Sequence, residues 1–130
     1  MKGLPNITDA EWQVMKVLWA TSSATANDVI EELSPDTSWK PKTVKTLLNR
    51  LVNKKALGYT IDEKDKRTYH YYALVEEEEC VRAESQSFLD RIYGGSVNIL
   101  LTRFLEEQEL SANEIDELKN ILDKKKTDRG

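Results

Sequence analysis

The stretch that decides the fold is Trp39-Lys40-Pro41-Lys42-Thr43-Val44-Lys45-Thr46-Leu47-Leu48-Asn49-Arg50-Leu51-Val52-Asn53. Pro41 suits a first helical position, where its missing N–H is not needed. Val44, Leu47, Leu48, Leu51 and Val52 then fall at i, i+3, i+4, i+7 and i+8, which is one apolar stripe at helical period. The opposite face carries Lys42, Thr43, Thr46, Asn49, Arg50 and Asn53. A face that is merely solvated carries carboxylates or alternating charges. This one has short polar and cationic groups only.

N-terminal to it the pattern predicts two further helices. Thr8 with Glu11 forms a capping box, Ile7 and Trp12 have staple spacing, and Trp12, Met15, Leu18 and Trp19 recur at helical period. Both tryptophans are expected in the core. After Ser22-Ser23, Thr25 can cap a shorter helix with Asp28 three residues on and Val29, Ile30 and Leu33 on one face, ended by Ser34-Pro35-Asp36. C-terminal to the stretch the period becomes two. Leu57, Tyr59 and Ile61 alternate with other residues, as do Tyr69, Tyr71 and Ala73, and the charged tip Asp62-Glu63-Lys64-Asp65-Lys66-Arg67 separates the two runs. Three short helices and a hairpin predict a winged helix-turn-helix, with the hairpin as wing.

Beyond Val75 the strand pattern stops. Glu76 to Glu79 suit a helical first turn, Val81, Phe88, Leu89 and Ile92 follow, and Gly94-Gly95 ends that helix. Ser96 can cap the stripe Val97, Leu100, Leu101, Phe104, Leu105. Ser111 with Glu114 opens a last helix bearing Ile115, Leu118, Ile121 and Leu122. Burying each such side chain is worth about 1.5–3 kcal/mol, and the arm is too short to bury them alone. The expected solution is a second copy about a two-fold axis, through Phe88, Ile92, Val97, Leu100, Leu101, Phe104, Leu105, Ile115, Leu118 and Leu122. The alternative is folding back on the winged helix. The fold class is thus mainly α with a small β-hairpin, divided into a winged-helix domain at 1–75 and a helical dimerisation domain at 76–130.

The formal charge of −4 over 130 residues looks unfavourable for nucleic acid until it is divided along the chain. Residues 1–39 carry −4 and residues 76–130 carry −6, while residues 40–75 hold nine basic side chains against Asp62, Glu63 and Asp65, giving +6. A basic island between acidic flanks serves a phosphate-binding surface, because the local field decides; a solvated helix face and hairpin would read the same on charge alone. Recognition helices present their N-terminal half to the major groove, so Lys42, Thr43, Lys45 and Thr46 are candidates for base edges. Asn49 and Arg50 lie further along and point to phosphates, although Arg50 is equally compatible with burial against Glu11 or Glu31. Trp39, Lys40, Lys64, Lys66 and Arg67 are expected to touch the DNA backbone, as is the helix start at Thr25 and Asn27.

Other classes fit less well. No apolar run approaches the ~20 residues of a membrane span, and Met1-Lys2-Gly3-Leu4-Pro5 lacks the apolar region of a secretory signal, so a cytoplasmic location is expected. One cysteine, Cys80, forms no intrachain disulfide, and neither metal-ligand spacing nor a phosphate loop is present. His70 reads as a strand or wing residue rather than a general base. No catalysis, cofactor or metal is expected. A winged helix can also serve as a protein-interaction adaptor, but an adaptor has no need of the +6 island.

Thr8-Asp9-Ala10-Glu11-Trp12-Gln13-Val14-Met15 through Trp19 resembles the opening of the penicillinase and methicillin-resistance repressors and their copper-responsive cousins. The stretch from Trp39 to Leu51 does so too, as do Leu110-Ser111, Glu114-Ile115 and Glu117-Leu118 more loosely. The resemblance implies a homodimeric repressor on an inverted-repeat operator of TACA/TGTA-like half-sites. In the β-lactam branch it implies release when a sensor protease cuts the arm at an Asn-Phe bond, and the matching position here is Arg103-Phe104. The copper branch, a metal-responsive alternative, ends in paired Cys-x-Cys motifs that this chain lacks, though it shares the lysine at position 40. The glycine usual after the recognition helix is Ala56, and the wing turn is longer.

Overall fold

The computed structural model describes residues 4–129; the expectation about Met1, Lys2 and Gly3 lies outside them. The elements are α1 (Asp9–Ala20), α2 (Ala26–Leu33), α3 (Pro41–Asn53), β1 (Leu57–Ile61), β2 (Tyr69–Ala73), α4 (Glu77–Tyr93), α5 (Val97–Glu107) and α6 (Ala112–Arg129). The chain divides into two compact units, Met1–Glu84 and Ser85–Gly130.

In the first unit α1 begins at a full capping box. The Thr8 hydroxyl accepts from Glu11 N–H at 3.2 Å and the Glu11 carboxylate accepts from Thr8 N–H at 3.0 Å. Thr25 and Asp28 repeat the arrangement at α2. The inward stripes of the three helices, Val14, Met15 and Leu18, Val29 and Leu33, and Val44, Leu47, Leu48 and Leu51, close over Leu57 and Tyr71 as one core. Trp19 packs against that core and its indole N–H donates to the Val75 carbonyl at 2.9 Å, pinning the chain where it leaves β2. Trp12 is only half-buried, edge-on to Trp19 with ring centres 5.5 Å apart. The expectation of a core position for Trp12 is corrected accordingly.

α3 ends in a Schellman motif. Ala56 N–H donates to the Leu51 carbonyl and Lys55 N–H to that of Val52, at 2.9 and 3.0 Å. The residue in the left-handed region is Lys55, with φ +68°, while Ala56 is fully buried. The glycine-like conformation therefore falls one residue earlier than the departure at Ala56 suggested.

β1 and β2 pair antiparallel, with Leu57 opposite Ala73, Tyr59 opposite Tyr71 and Ile61 opposite Tyr69. A Cβ on Gly58 would lie 2.8 Å from the ring of its partner Tyr72, so that close approach depends on glycine. Ala24 adds a single antiparallel bridge to Tyr71 through two backbone hydrogen bonds of 2.8 and 3.0 Å. This ties the α1–α2 turn to the wing. The alternation expected of the strands is strongest near the core, and Ile61 at the far end is half exposed.

The second unit comprises the rest of α4, α5 and α6. Gly94 and Gly95 have φ of +57° and +84°, closing α4, and the Ser96 hydroxyl caps α5 by accepting from Ile99 N–H at 3.2 Å. Ser111 and Glu114 form the expected capping box. Phe88, Ile92, Val97, Leu101, Phe104, Leu105, Ile115, Leu118 and Leu122 are all exposed and Leu100 is half-buried. No described residue of α5 is buried in the single chain. Among the described residues no helix is long and apolar enough to cross a membrane.

Candidate nucleic-acid interface

The two faces of α3 separate cleanly. Val44, Leu47, Leu48 and Leu51 are buried, and Lys42, Thr43, Lys45, Thr46, Asn49 and Arg50 are exposed. The Thr46 hydroxyl donates to the Lys42 carbonyl at 2.9 Å. Its proton is thereby used inside the helix, leaving its oxygen lone pair and methyl free to meet a ligand. Arg50 is exposed rather than buried against Glu11 or Glu31. Glu11 is paired instead by Lys54, one turn further on, whose ammonium lies 2.5 Å from Glu11 Oε1 and 2.8 Å from the Asn6 carbonyl. Burial alone would raise the Glu11 pKa. The hydrogen bonds from Lys54 and Thr8 and the charge of Lys54 outweigh it and hold the carboxyl below its ordinary value. Lys54 thus belongs to the scaffold, and its charge does not contribute to an outward basic face.

The other candidates gather in two places. Lys40, Lys42, Thr43, Thr46 and Arg50 surround a shallow depression on α3. Thr25, Lys45, Asn49 and Arg67 line a second cleft of about 280 Å³, between the start of α2, α3 and the base of the wing tip, together with Ala26, Asn27, Thr68, Tyr69 and Tyr71. Trp39 is half-buried against the core, before α3. Thr25 has a structural duty as well, since its hydroxyl caps α2. Burial, and then the neighbouring Tyr69 and Tyr59, push the Tyr71 hydroxyl pKa up, so it meets any ligand as a neutral phenol.

Lys64, Lys66 and Arg67 project from the wing tip and are exposed. Two carboxylates organise that tip. Asp62 Oδ2 accepts from the N–H groups of Lys64 and Asp65, and its Oδ1 lies 3.0 Å from Nε2 of His70. Asp65 accepts from Arg67 N–H and from the Thr68 hydroxyl. The His70 contact first, and then the two backbone N–H groups, hold the Asp62 carboxyl below its usual range. His70 is thereby placed as a wing residue. By charge alone Asp62 and Asp65 count only as losses from the island. The signal that marks them is an aspartate whose oxygens can reach the N–H groups two and three residues on.

A helix-turn-helix closed by a hairpin, with a cationic, carboxylate-free recognition helix, defines a winged-helix protein of the nucleic-acid-binding kind. Residues 7–124 match the penicillinase repressor family, and the chain belongs to that family. It is 42% identical over 119 residues to the methicillin resistance regulatory protein MecI of Staphylococcus aureus (strain N315), covering 92% of this chain and 94% of that one. It is 44% identical over 126 residues to the penicillinase repressor of Bacillus licheniformis, covering 97% and 96%. The solution structure of the DNA binding domain of the repressor BlaI is similar, with 43% identity and a TM-score of 0.52, over 61% of this chain and 93% of that domain. Wild-type MarR from E. coli, at 19% identity and a TM-score of 0.54 over 91% of this chain and 76% of its own, shares the fold.

Proposed function

We propose that the chain is a homodimeric transcriptional repressor that binds an inverted-repeat DNA operator with TACA/TGTA-like half-sites. The observation that carries this is the exposed face of α3, cationic and free of carboxylates over an apolar stripe that is buried from Val44 to Leu51. Its support is membership of a family whose relatives are named as repressors, one of them with a similar domain described as DNA-binding. α3 lies in the major groove with Lys42, Thr43, Lys45 and Thr46 toward base edges. Asn49, Arg50, Trp39, Lys40 and the start of α2 at Thr25 meet phosphates. Lys64, Lys66 and Arg67 follow the backbone from the wing. The protein works in the cytoplasm, needs no metal or cofactor, and is not an enzyme.

The functional division falls at 75/76, with residues 1–75 reading DNA and residues 76–130 joining the protomers. The dimer buries Phe88, Ile92, Val97, Leu100, Leu101, Phe104, Leu105, Ile115, Leu118 and Leu122; the exposure of all but the half-buried Leu100 in the single chain supports the assignment. In the β-lactam branch release follows proteolysis within the arm; the bond at the matching position here, Arg103-Phe104, has arginine in place of the asparagine cut there, and a break in α5 at that point would separate Leu101 from Phe104 and Leu105 within one stripe. The direct test is selection of bound duplexes from a random-sequence pool by the full chain. Recovery of a palindrome with half-sites about one helical turn apart is expected. Recovery of unrelated sequences with no two-fold repeat would overturn the assignment.

A further inference from the structure

We infer that Asp62 and Asp65, the two acidic residues that bond within the tip, are positioning residues for DNA binding and strengthen it despite their charge. The inference rests on the proposed contact between wing and duplex. Among the described residues every contact they make lies within the hairpin and its tip, including an exposed ion pair of Asp65 Oδ1 with Arg67 Nε at 3.6 Å. Asp62 Oδ2 holds the N–H groups of Lys64 and Asp65 at 3.0 and 2.9 Å, Oδ1 is anchored 3.0 Å from His70 on β2, and Asp62 N–H donates to the Thr68 carbonyl at 2.9 Å. Asp65 holds Arg67 N–H at 3.1 Å and the Thr68 hydroxyl at 3.0 Å, and its carbonyl accepts from Thr68 N–H at 2.9 Å. These bonds fix the backbone beneath Lys64, Lys66 and Arg67.

A loop already ordered does not have to be ordered at the moment of binding, so its cations meet phosphates at lower entropic cost. Glu63 provides the internal comparison. It stands beside Asp62 in the same loop, is exposed, and accepts none of these bonds. A carboxylate near phosphates that organises nothing is simply repulsive. The two neighbours therefore have opposite effects on affinity, although each variant to alanine removes one negative charge.

The test measures binding of the full chain to a fluorescein-labelled mixed-sequence duplex across a salt series. Asp62→Ala is expected to weaken binding about fivefold, whereas Glu63→Ala tightens it about twofold, the scale of one exposed, screened charge near the backbone. Asp62→Asn keeps an acceptor oxygen for the same N–H groups and stays within about twofold of wild type. Asp65→Ala, which leaves the Asp62–His70 contact in place, weakens binding in the same direction as Asp62→Ala. Binding by Asp62→Ala as tight as wild type or tighter overturns the inference. The double variant Lys64→Ala/Lys66→Ala is expected to flatten the salt dependence by about two units. If it binds like wild type, the wing does not meet the duplex and the inference falls together with that part of the proposed function. If it weakens while Asp62→Ala tightens, only the positioning role falls.

Discussion

Lys54, in the C-cap of α3, carries its ammonium to within 2.5 Å of Glu11, which is 1% exposed in the first turn of α1. The same ammonium holds the Asn6 carbonyl, so one side chain fastens the entry to α1 onto the exit of the recognition helix. The orientation of α3 against the core thus depends on a pair distant in sequence. Removing one partner of a buried pair costs about 3–5 kcal/mol. With Lys54 about one-third exposed, Lys54→Met is expected to cost less, about 2–3 kcal/mol in denaturant titrations.

That pair also sets a pH dependence. The folded-state pKa of Glu11 lies below its ordinary value of 4.5. Its contribution to stability is therefore full above that pH and is lost as pH falls through the folded value. In Lys54→Met the hydrogen bond and charge of Lys54 are gone while burial and the Thr8 hydrogen bonds remain, so the carboxyl moves up from its wild-type value. The stability gap between wild type and variant should be widest near neutrality and shrink below about pH 4.5. An equal gap at pH 7 and pH 3.5 contradicts the assignment.

Lys55 occupies the left-handed region that glycine adopts without cost. Side chains other than glycine pay about 1–2 kcal/mol there, partly offset by the greater freedom of glycine in the unfolded chain. Lys55→Gly is expected to stabilise by about 0.5–1 kcal/mol and raise the melting temperature by a few degrees. Lys55→Val should lower it.

Lys42 and Lys66 should fail in different ways. Lys42→Ala is expected to reduce operator binding by about 10- to 100-fold while leaving binding to unrelated duplex nearly intact, as for a base-edge contact. Lys66→Ala should weaken both and reduce the salt slope by about one. Matching losses for the two variants on both duplexes would remove the base-reading role of Lys42.

Much of this architecture is legible in the chain itself, because its cues are local. The pairs Thr8–Glu11, Thr25–Asp28 and Ser111–Glu114 mark helix starts that the structure reproduces bond for bond. Pro41 and the stripe from Val44 to Leu51 delimit α3, and Gly94-Gly95 closes α4. What escapes is non-local or independent of hydropathy. The Ala24 bridge is one residue long and has no period. The Lys54–Glu11 pair joins residues 43 positions apart, so the sequence offered Arg50 as readily. Trp12 sits on the expected face, yet its large ring reaches the rim and packs on Trp19 instead of entering the core. The role of the wing carboxylates depends on which N–H groups the turn presents, which charge counting does not see.

The proposed function requires that two chains joined through their tails present two α3 helices to one duplex. The most direct measurement is sedimentation of the full chain, alone and with an inverted-repeat duplex, beside the variant Leu101→Asp/Phe104→Asp. Wild type should sediment as a dimer and bind as two protomers per duplex. The variant should be monomeric and lose about 10²- to 10⁴-fold in operator affinity, the share that linkage of two half-sites supplies. A wild-type monomer at working concentration, or a variant that binds the operator as tightly as wild type, would contradict the account.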